Sequence, residues 1–419
     1  MDERKKNEAK TRKMNTFANR SLPVQLSLAK LFTFRWQFTS KYKDGRSIID
    51  DLRQKLEKRG IVLEPRDPQE VYEKIVSTEE NKYIANLVKL ICRFIHNFKA
   101  NGYSMDMFRD MRNQSNNVRT QLFLDVCRQC YMEYTQKLDD ANAVDFEDMI
   151  NDSAKILKQQ QDKGMHLDYK YIIIDEYQDI SRQRFNLAQE LSRISDAKII
   201  AVGDDWQSIF AYAGSDISLF TKFTEIMGYG EELLITRTYR NSQEVIDVAG
   251  NFIQKNTSQI KKHLESPKHI EMPFVIESYS EEIEKKDTDG KNGKLQQQAT
   301  AIDRVIGQIV EANKAEGKPA NSSILLIGRY GFDASNLART GRYTYNEKTG
   351  EVKSMAFPDV DITFLTAHRS KGLGFDNVII INATNGTYGF PSMIEDDPVL
   401  QLVIHSDRTI EYAEERRLF

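Results

Sequence analysis

Near residue 170 the spacing of the apolar residues changes, and no single regular architecture accommodates both halves of the chain. Upstream, Ile84, Leu87, Val88, Ile91, Ile95 and Phe98 recur at steps of three and four, as do Phe123, Cys127, Cys130, Tyr131, Tyr134 and Leu138. Each set predicts one buried stripe along a helix. Downstream, short apolar runs over 171–174, 199–202, 233–235, 324–327, 362–365 and 378–381 alternate with helical stretches. Two of those stretches are clear: Val245, Ile246, Ala249, Phe252 and Ile253, then Ile302, Val305, Ile306, Ile309 and Val310. Runs that are apolar on both faces predict strands of a parallel sheet covered by helices on either side. The predicted class is α/β, preceded by a mainly helical region.

At 419 residues the chain exceeds the ~250–300 at which one core stops growing, so two to three domains are predicted. No run of 18 apolar residues and no secretory signal is visible, which predicts a cytoplasmic protein without a membrane partner. The text from 341 to 358 suggests a small hairpin. Residues 285–294 have almost nothing to bury and predict a surface loop. Net charge is −3, from 59 Lys+Arg against 62 Asp+Glu, which argues against a uniformly basic nucleic-acid coat. The distribution is uneven, because residues 1–60 hold 16 Lys+Arg against 7 Asp+Glu. Phe32, Phe34, Arg35, Trp36, Phe38, Lys41, Tyr42 and Lys43 interleave rings with that charge, a composition able to neutralise phosphates and stack bases. A solvated helix face beside ordinary core aromatics has the same composition.

The stretch Ile172-Ile-Ile-Asp-Glu-Tyr-Gln-Asp179 sets adjacent carboxylates at the end of a buried strand. In an open α/β sheet that edge is where ligands bind. One carboxylate there, Asp175, can hold a hydrated Mg²⁺ that bridges nucleotide phosphates while Glu176 accepts a proton from attacking water. A strand running out into an acidic solvent loop would read the same way. The next strand ends in Ala201-Val-Gly-Asp-Asp-Trp-Gln-Ser-Ile-Phe-Ala-Tyr-Ala-Gly-Ser-Asp216. Gly203 permits a tight exit, Gln207 is an uncharged group suited to positioning water or sensing a terminal phosphate, and Phe210 and Tyr212 can stack bases or fill a core.

Taken in order, DEYQD at 175–179, VGDDWQSIFAYAGSD at 202–216, TYRN at 238–241 and TAHRSKG at 366–372 resemble the UvrD/Rep type of superfamily 1 DNA helicase, in the wording of its helicase IV branch. The resemblance implies two RecA-like P-loop NTPase lobes, the first incomplete, with a helical insertion subdomain. Residues 1–170 would be mainly that insertion, 171–230 the C-terminal part of the first lobe, and 231–419 the second lobe without a large inserted regulatory subdomain. It also implies ATP and Mg²⁺ as cofactors. Asp175 would ligand the metal, Glu176 would act as general base, and Gln207 would report the γ-phosphate. Tyr239 would stack on adenine and Arg240 would reach the γ-phosphate as an arginine finger. Phe210, Tyr212, Thr366, His368 and Ser370 would face single-stranded DNA, alone or as the tail of a duplex, and Lys371 and Gly372 the nucleotide.

The departures from the family pattern are specific. No G-x-x-x-x-G-K-[ST] occurs in the sequence, and the sixth family motif is only beginning at Glu414-Glu-Arg-Arg-Leu-Phe419. The chain therefore reads as a fragment of an ATP-dependent helicase that moves 3′ to 5′ on single-stranded DNA, inactive by itself. Its rivals are an ATPase-deficient DNA-binding or partner-docking module and the motor subunit of a nuclease or phage-defence complex. Gly374 stands where the family usually has Glu, and Ala213 where an Arg is common. Cys92, His96, Cys127 and Cys130 could be two halves of a zinc site, or could continue the apolar stripes.

Overall fold

A computed structural model of the chain describes residues 57–58, 82–228, 230–279, 290–317, 323–405 and 410–419. The basic, ring-rich stretch between Phe32 and Lys43 lies outside them. Contacts divide the chain into two compact units, one of Met1–Ile172, Ser181–Ile200 and Asp397–Ile404, the other of Ile173–Ile180, Ala201–Asp396 and His405–Phe419.

The first unit is built on helices. α1 (Lys82–Ala100), α2 (Asp106–Gln114), α3 (Val118–Asp140) and α4 (Phe146–Asp162) follow one another, and α5 (Arg182–Ser195) joins them. Three residues of each predicted stripe are buried, Leu87, Ile91 and Phe98 on α1 and Phe123, Cys127 and Cys130 on α3, and the other three of each are half-buried. They meet through aromatic rings. Phe98 stacks on Phe108 at 4.2 Å between centroids, and Phe94 meets Phe123 edge-on at 5.3 Å.

Capping and charge fix where α4 begins. Asp145 is its N-cap and forms a reciprocal capping box with Asp148, satisfying amides that the first turn leaves open. Lys99, only 4% exposed, reaches Asp145 at 2.5 Å and Asp148 at 2.6 Å, and the Tyr134 hydroxyl donates to Asp145 at 2.8 Å. Burial alone would lower the Lys99 pKa, but the two carboxylates outweigh it and hold the ammonium above its usual value. Arg119 adds a fork onto Asp397, with bonds of 2.9 and 2.5 Å.

In the second unit a five-stranded sheet runs β4-β5-β6-β3-β7, with β3 (Ile324–Gly328), β4 (Tyr343–Tyr345), β5 (Glu351–Ser354), β6 (Ile362–Thr366) and β7 (Asn377–Ile380). β3 lies between β6 and β7 and is parallel to both, Ile324 facing Ile362 on one side and Asn377 on the other. The predicted hairpin is β4–β5, and it extends the sheet antiparallel to β6. The sheet is therefore mixed. Helix α6 (Gln243–Ile253) precedes it in the chain, and α7 (Gly290–Ala315) covers it, setting Ala299, Ile302 and Ile306 against Ile324, Leu326, Ile362 and Phe364. α7 starts inside the predicted loop of 285–294, since extending an established helix by one turn needs no new nucleus.

Two expectations are revised. Residues 233–235 form no strand: Leu233 and Ile235 are 82% and 79% exposed. The backbone pairs a little further on, where the Thr238 amide donates to the Glu265 carbonyl and the Glu265 amide to Thr236, so β-propensity at 233–235 finds no ladder. The second revision concerns β1 (Tyr171–Ile174) and β2 (Lys198–Ala201), which pair with each other as a two-stranded sheet. Their residues alternate between exposed and half-buried instead of being covered on both faces. Two strands are too narrow a platform for that cover. No helix among the described residues is long and apolar enough to cross a membrane.

Phe98 is fully buried and touches rings from α2 and α3. Phe98→Ala should cost about 3–5 kcal/mol of unfolding free energy, read by chemical denaturation followed by far-UV circular dichroism.

Candidate functional site

The candidate nucleotide and DNA residues all fall within the second unit, and the candidate zinc ligands Cys92, His96, Cys127 and Cys130 within the first. β1 and β2 end together: the Val202 amide donates to the Ile174 carbonyl at 2.8 Å, and the Tyr177 amide to Val202 at 2.9 Å. Between those bonds the chain turns through Asp175 and Glu176. Glu176 is left-handed at φ 50°, ψ 40°, a conformation that costs a residue with a Cβ on the order of 1 kcal/mol or more and that only surrounding contacts can hold. Three contacts supply the hold. Asp175 accepts from the Glu176 amide at 2.9 Å, the buried Gln178 carboxamide donates to Glu176 Oε2 at 2.5 Å, and Lys371 Nζ lies 3.6 Å from the same oxygen.

Gln178 also reaches the second loop. Its carbonyl oxygen accepts from the Asp204 amide at 3.0 Å, and its main-chain oxygen accepts from Ser208 Oγ at 3.3 Å. The carboxamide passes so close to Gly203 that any Cβ there would collide with it, which explains the glycine at the end of β2. Asp204 accepts from the Gln207 carboxamide at 2.7 Å and from Lys262 at 2.5 Å. Fully buried Asp205 forms an ion pair with Lys262 at 2.7 Å and accepts from the Gln259 side chain at 2.6 Å and the Ile260 amide at 2.7 Å. Lys262 lies 4.9 Å over the Trp206 ring. Lys262 is a functional neighbour that sequence reasoning missed. It belongs to none of the four blocks, and a lysine beside another lysine carries no local signal of burial.

The third loop follows β6. Thr366 closes the strand, His368 and Ser370 lie on the short turn of helix Ala367–Ser370, and Gly372 is left-handed at φ 82°. His368 meets Tyr212 edge-on at 5.2 Å and Phe210 at 6.3 Å, while Phe210 and Tyr212 are 6.1 Å apart. Burial, with the Arg329 charge adding to it, pushes the His368 imidazole below its ordinary 6.5, so the ring is neutral at pH 7. Lys371 Nζ bonds Asp179 at 2.5 Å and sits 5.0 Å from the centre of Phe210. Three stretches far apart in sequence therefore converge on one cation.

Tyr239 and Arg240 are arranged differently. Both are exposed, and the Arg237 guanidinium covers Tyr239 at 5.4 Å. The hydrogen bonds at Arg240 are made by its backbone, the amide donating to Thr238 Oγ1 and the carbonyl accepting from Lys268. No hydrogen bond or ion pair joins Arg240 to Asp175 or Glu176.

Asp175 is exposed and spends one oxygen on the Glu176 amide, which leaves the other free of any protein donor among the described residues. Among those residues, no group of three or more His, Cys, Asp or Glu is arranged to hold a metal ion. Burial pushes the Cys127 thiol well up and the Cys130 thiol up to about 11, and His96 pairs with Glu147 at 2.9 Å. Protonated thiols in a core are poor metal ligands.

Comparison with known proteins places the chain among DNA helicases by sequence. Residues 4–227 match the model of the UvrD/REP helicase N-terminal domain, and residues 343–419 that of the UvrD-like helicase C-terminal domain. The chain is 31% identical to DNA helicase IV of Escherichia coli (strain K12) over 279 residues, 66% of this chain and 35% of the relative. It is 29% identical to the ATP-dependent DNA helicase UvrD1 of Mycobacterium tuberculosis (strain ATCC 25618 / H37Rv) over 142 residues, 32% of this chain and 18% of the relative. It is 22% identical to the ATP-dependent DNA helicase PcrA of Staphylococcus epidermidis (strain ATCC 12228 / FDA PCI 1200) over 211 residues, 50% of this chain and 28% of the relative. The chain thus spans about a third or less of the length of these relatives.

Removing the partner of a fully buried carboxylate is costly. Lys262→Met should lower unfolding free energy by about 3–5 kcal/mol, measured by denaturant titration, whereas the same change at the neighbouring Lys261 should lower it by less than about 0.5 kcal/mol.

Proposed function

We infer the activity from a premise that these matches establish: the chain belongs to the UvrD/REP helicase family. It is proposed as part of an ATP-dependent DNA helicase that moves 3′ to 5′ along single-stranded DNA, built of two RecA-like lobes with a helical insertion. Residues 1–170 would supply mainly the insertion, 171–230 the end of the first lobe, and 231–419 the second. The observation that carries this reading is the position of Lys371, in reach of the carboxylates after β1 and of the Phe210 ring, which in turn meets Tyr212 and His368. Chemistry on a phosphate chain and contact with a strand need such neighbouring sets of groups.

Asp175 suits a hydrated Mg²⁺, which is commonly held by one or two carboxylates together with the phosphates. With its second oxygen free, this carboxylate fits that role. ATP and Mg²⁺, when bound, supply the phosphoryl group and the charge that screens it. Glu176, held in its left-handed turn by Gln178, is the acceptor for the proton of attacking water. Gln207, tethered to Asp204, senses the terminal phosphate. Tyr239 and Arg240 are exposed, as groups that meet adenine and the γ-phosphate must be, while Lys371 and Gly372 border the nucleotide. The neutral His368 ring, Phe210 and Tyr212 offer flat faces to successive bases, with Thr366 and Ser370 beside them. Stacking of this kind tolerates any sequence.

A second reading is favoured by one observation: the 419 residues contain no G-x-x-x-x-G-K-[ST]. Without the donors of such a loop the chain alone binds a strand and does not turn over nucleotide. Direct measurement separates the two readings, using the chain with and without a protein or segment that supplies the loop.

Two outcomes are expected. In an assembly that hydrolyses ATP, Glu176→Gln should retain nucleotide binding and lose strand-stimulated phosphate release, and unchanged turnover would remove Glu176 as the base. Tyr212→Ala should weaken binding of a fluorescein-labelled oligo-dT to the chain by about 1–3 kcal/mol in anisotropy titrations.

A further inference from the structure

Asp179, the last residue of the DEYQD block, is assigned no role by the sequence pattern, yet it makes one of the short contacts in the site. Its Oδ2 is 2.5 Å from Lys371 Nζ, and both side chains are largely withdrawn from water, Lys371 being 13% exposed. A solvent-facing pair of this kind would contribute little. A largely buried one is costly to assemble and strongly orients both partners. The same ammonium lies 3.6 Å from Glu176 Oε2, a carboxylate that is itself 63% exposed, and 5.0 Å from the Phe210 ring centre. One cation thus has three neighbours with different roles: a buried anion, an exposed anion and an aromatic face. Phe210 in turn contacts Tyr212 and His368.

We propose that Asp179 is a positioning residue, which holds the Lys371 ammonium away from the phosphates of a bound strand and against both Phe210 and Glu176, so that one cation links the strand-facing rings to the carboxylate beside the nucleotide. The inference rests on the strand-binding reading above. Its chemistry is simple. A lysine in a basic loop next to single-stranded DNA would ordinarily pair with phosphate and displace a counterion. Bonded to Asp179 it cannot, and its charge acts on Phe210 instead, fixing the ring by a cation–π contact. Asp179 suits the task because its own surroundings are dry. Burial holds its carboxyl above the ordinary value despite the Lys371 charge beside it, and with the two side chains 20% and 13% exposed, water competes poorly as an alternative partner.

Salt dependence tests the tether directly, because each phosphate that a protein neutralises adds about 0.7 to the slope of log K against log salt for a single strand. The 419-residue chain is titrated into fluorescein-labelled oligo-dT at 50 to 300 mM NaCl. Asp179→Asn should steepen the slope by about 0.7 as Lys371 turns to a phosphate. Lys371→Met should weaken binding several-fold with no steeper slope. The double variant should match Lys371→Met, since without the cation Asp179 has nothing to hold. An Asp179→Asn slope equal to wild type, or a double variant as steep as Asp179→Asn, would overturn the proposal while leaving strand binding intact. Wild-type chain that binds no oligo-dT would overturn both readings. If Asp179→Asn melts early, Asp179→Glu carries the test. It keeps the charge and should keep the wild-type slope, and a steeper one would count against the tether.

Discussion

One buried carboxamide joins the two strand ends on which the site is built. Gln178 donates to Glu176 and accepts from the Asp204 amide, and its main-chain oxygen accepts from Ser208. Remove that group and Glu176 keeps a left-handed backbone with one fewer contact to hold it, while the Asp204 loop loses its register against β1. The constraint also explains a glycine. Only Gly203 leaves room for the carboxamide to cross the end of β2, so residue choice in one loop is dictated by a side chain in the other. The loop conformations are thus over-determined by hydrogen bonds, the condition under which a strained backbone persists at a functional position.

Charge is handled alike in both units. Lys99 in the helical unit and Lys262 in the sheet unit each sit between two acidic residues, buried, and at the junction of separate segments. Such clusters are poor sources of net stability, because desolvation offsets most of the attraction. Their value is positional. Lys99 fixes where α4 begins relative to α1, and Lys262 ties the Asp204–Asp205 loop to residues 259 and 260. Lys371 follows the same pattern with a difference: one of its carboxylates is exposed and its other neighbour is a ring. The arrangement that elsewhere locks segments together is here left open on one side, where a ligand can compete.

The success of sequence reading varied with the kind of signal. Leu87, Ile91, Phe98, Phe123, Cys127 and Cys130 were legible as core because a helical period needs only local spacing, and the structure buries them all. The strands β3, β6 and β7 were legible because an apolar run bounded by turn residues has few other fates. Residues 233–235 have the same look and form no strand, since a strand is defined by its neighbour and no ladder forms there. Buried Phe94 was overlooked, although it stands one turn before Phe98. Lys262, Gln178 and Asp179 carry no spacing signal at all: their importance comes from partners 26 to 192 positions away.

The amino-acid sequence by itself determined the stripes of α1 and α3, the strands β1, β2, β3, β6 and β7, the order of the four blocks and the family to which they point, because period and motif are local properties of a chain. It also determined which residues are chemically capable of holding a phosphate, a proton or a base. Only the tertiary structure decided which of them meet. It brought Asp179, Glu176 and Phe210 around Lys371, and kept Arg240 out of bonding reach of the carboxylates. The reason is physical: contacts between distant segments depend on how sheets and helices pack, and packing is a cooperative outcome of the whole fold that no short stretch encodes.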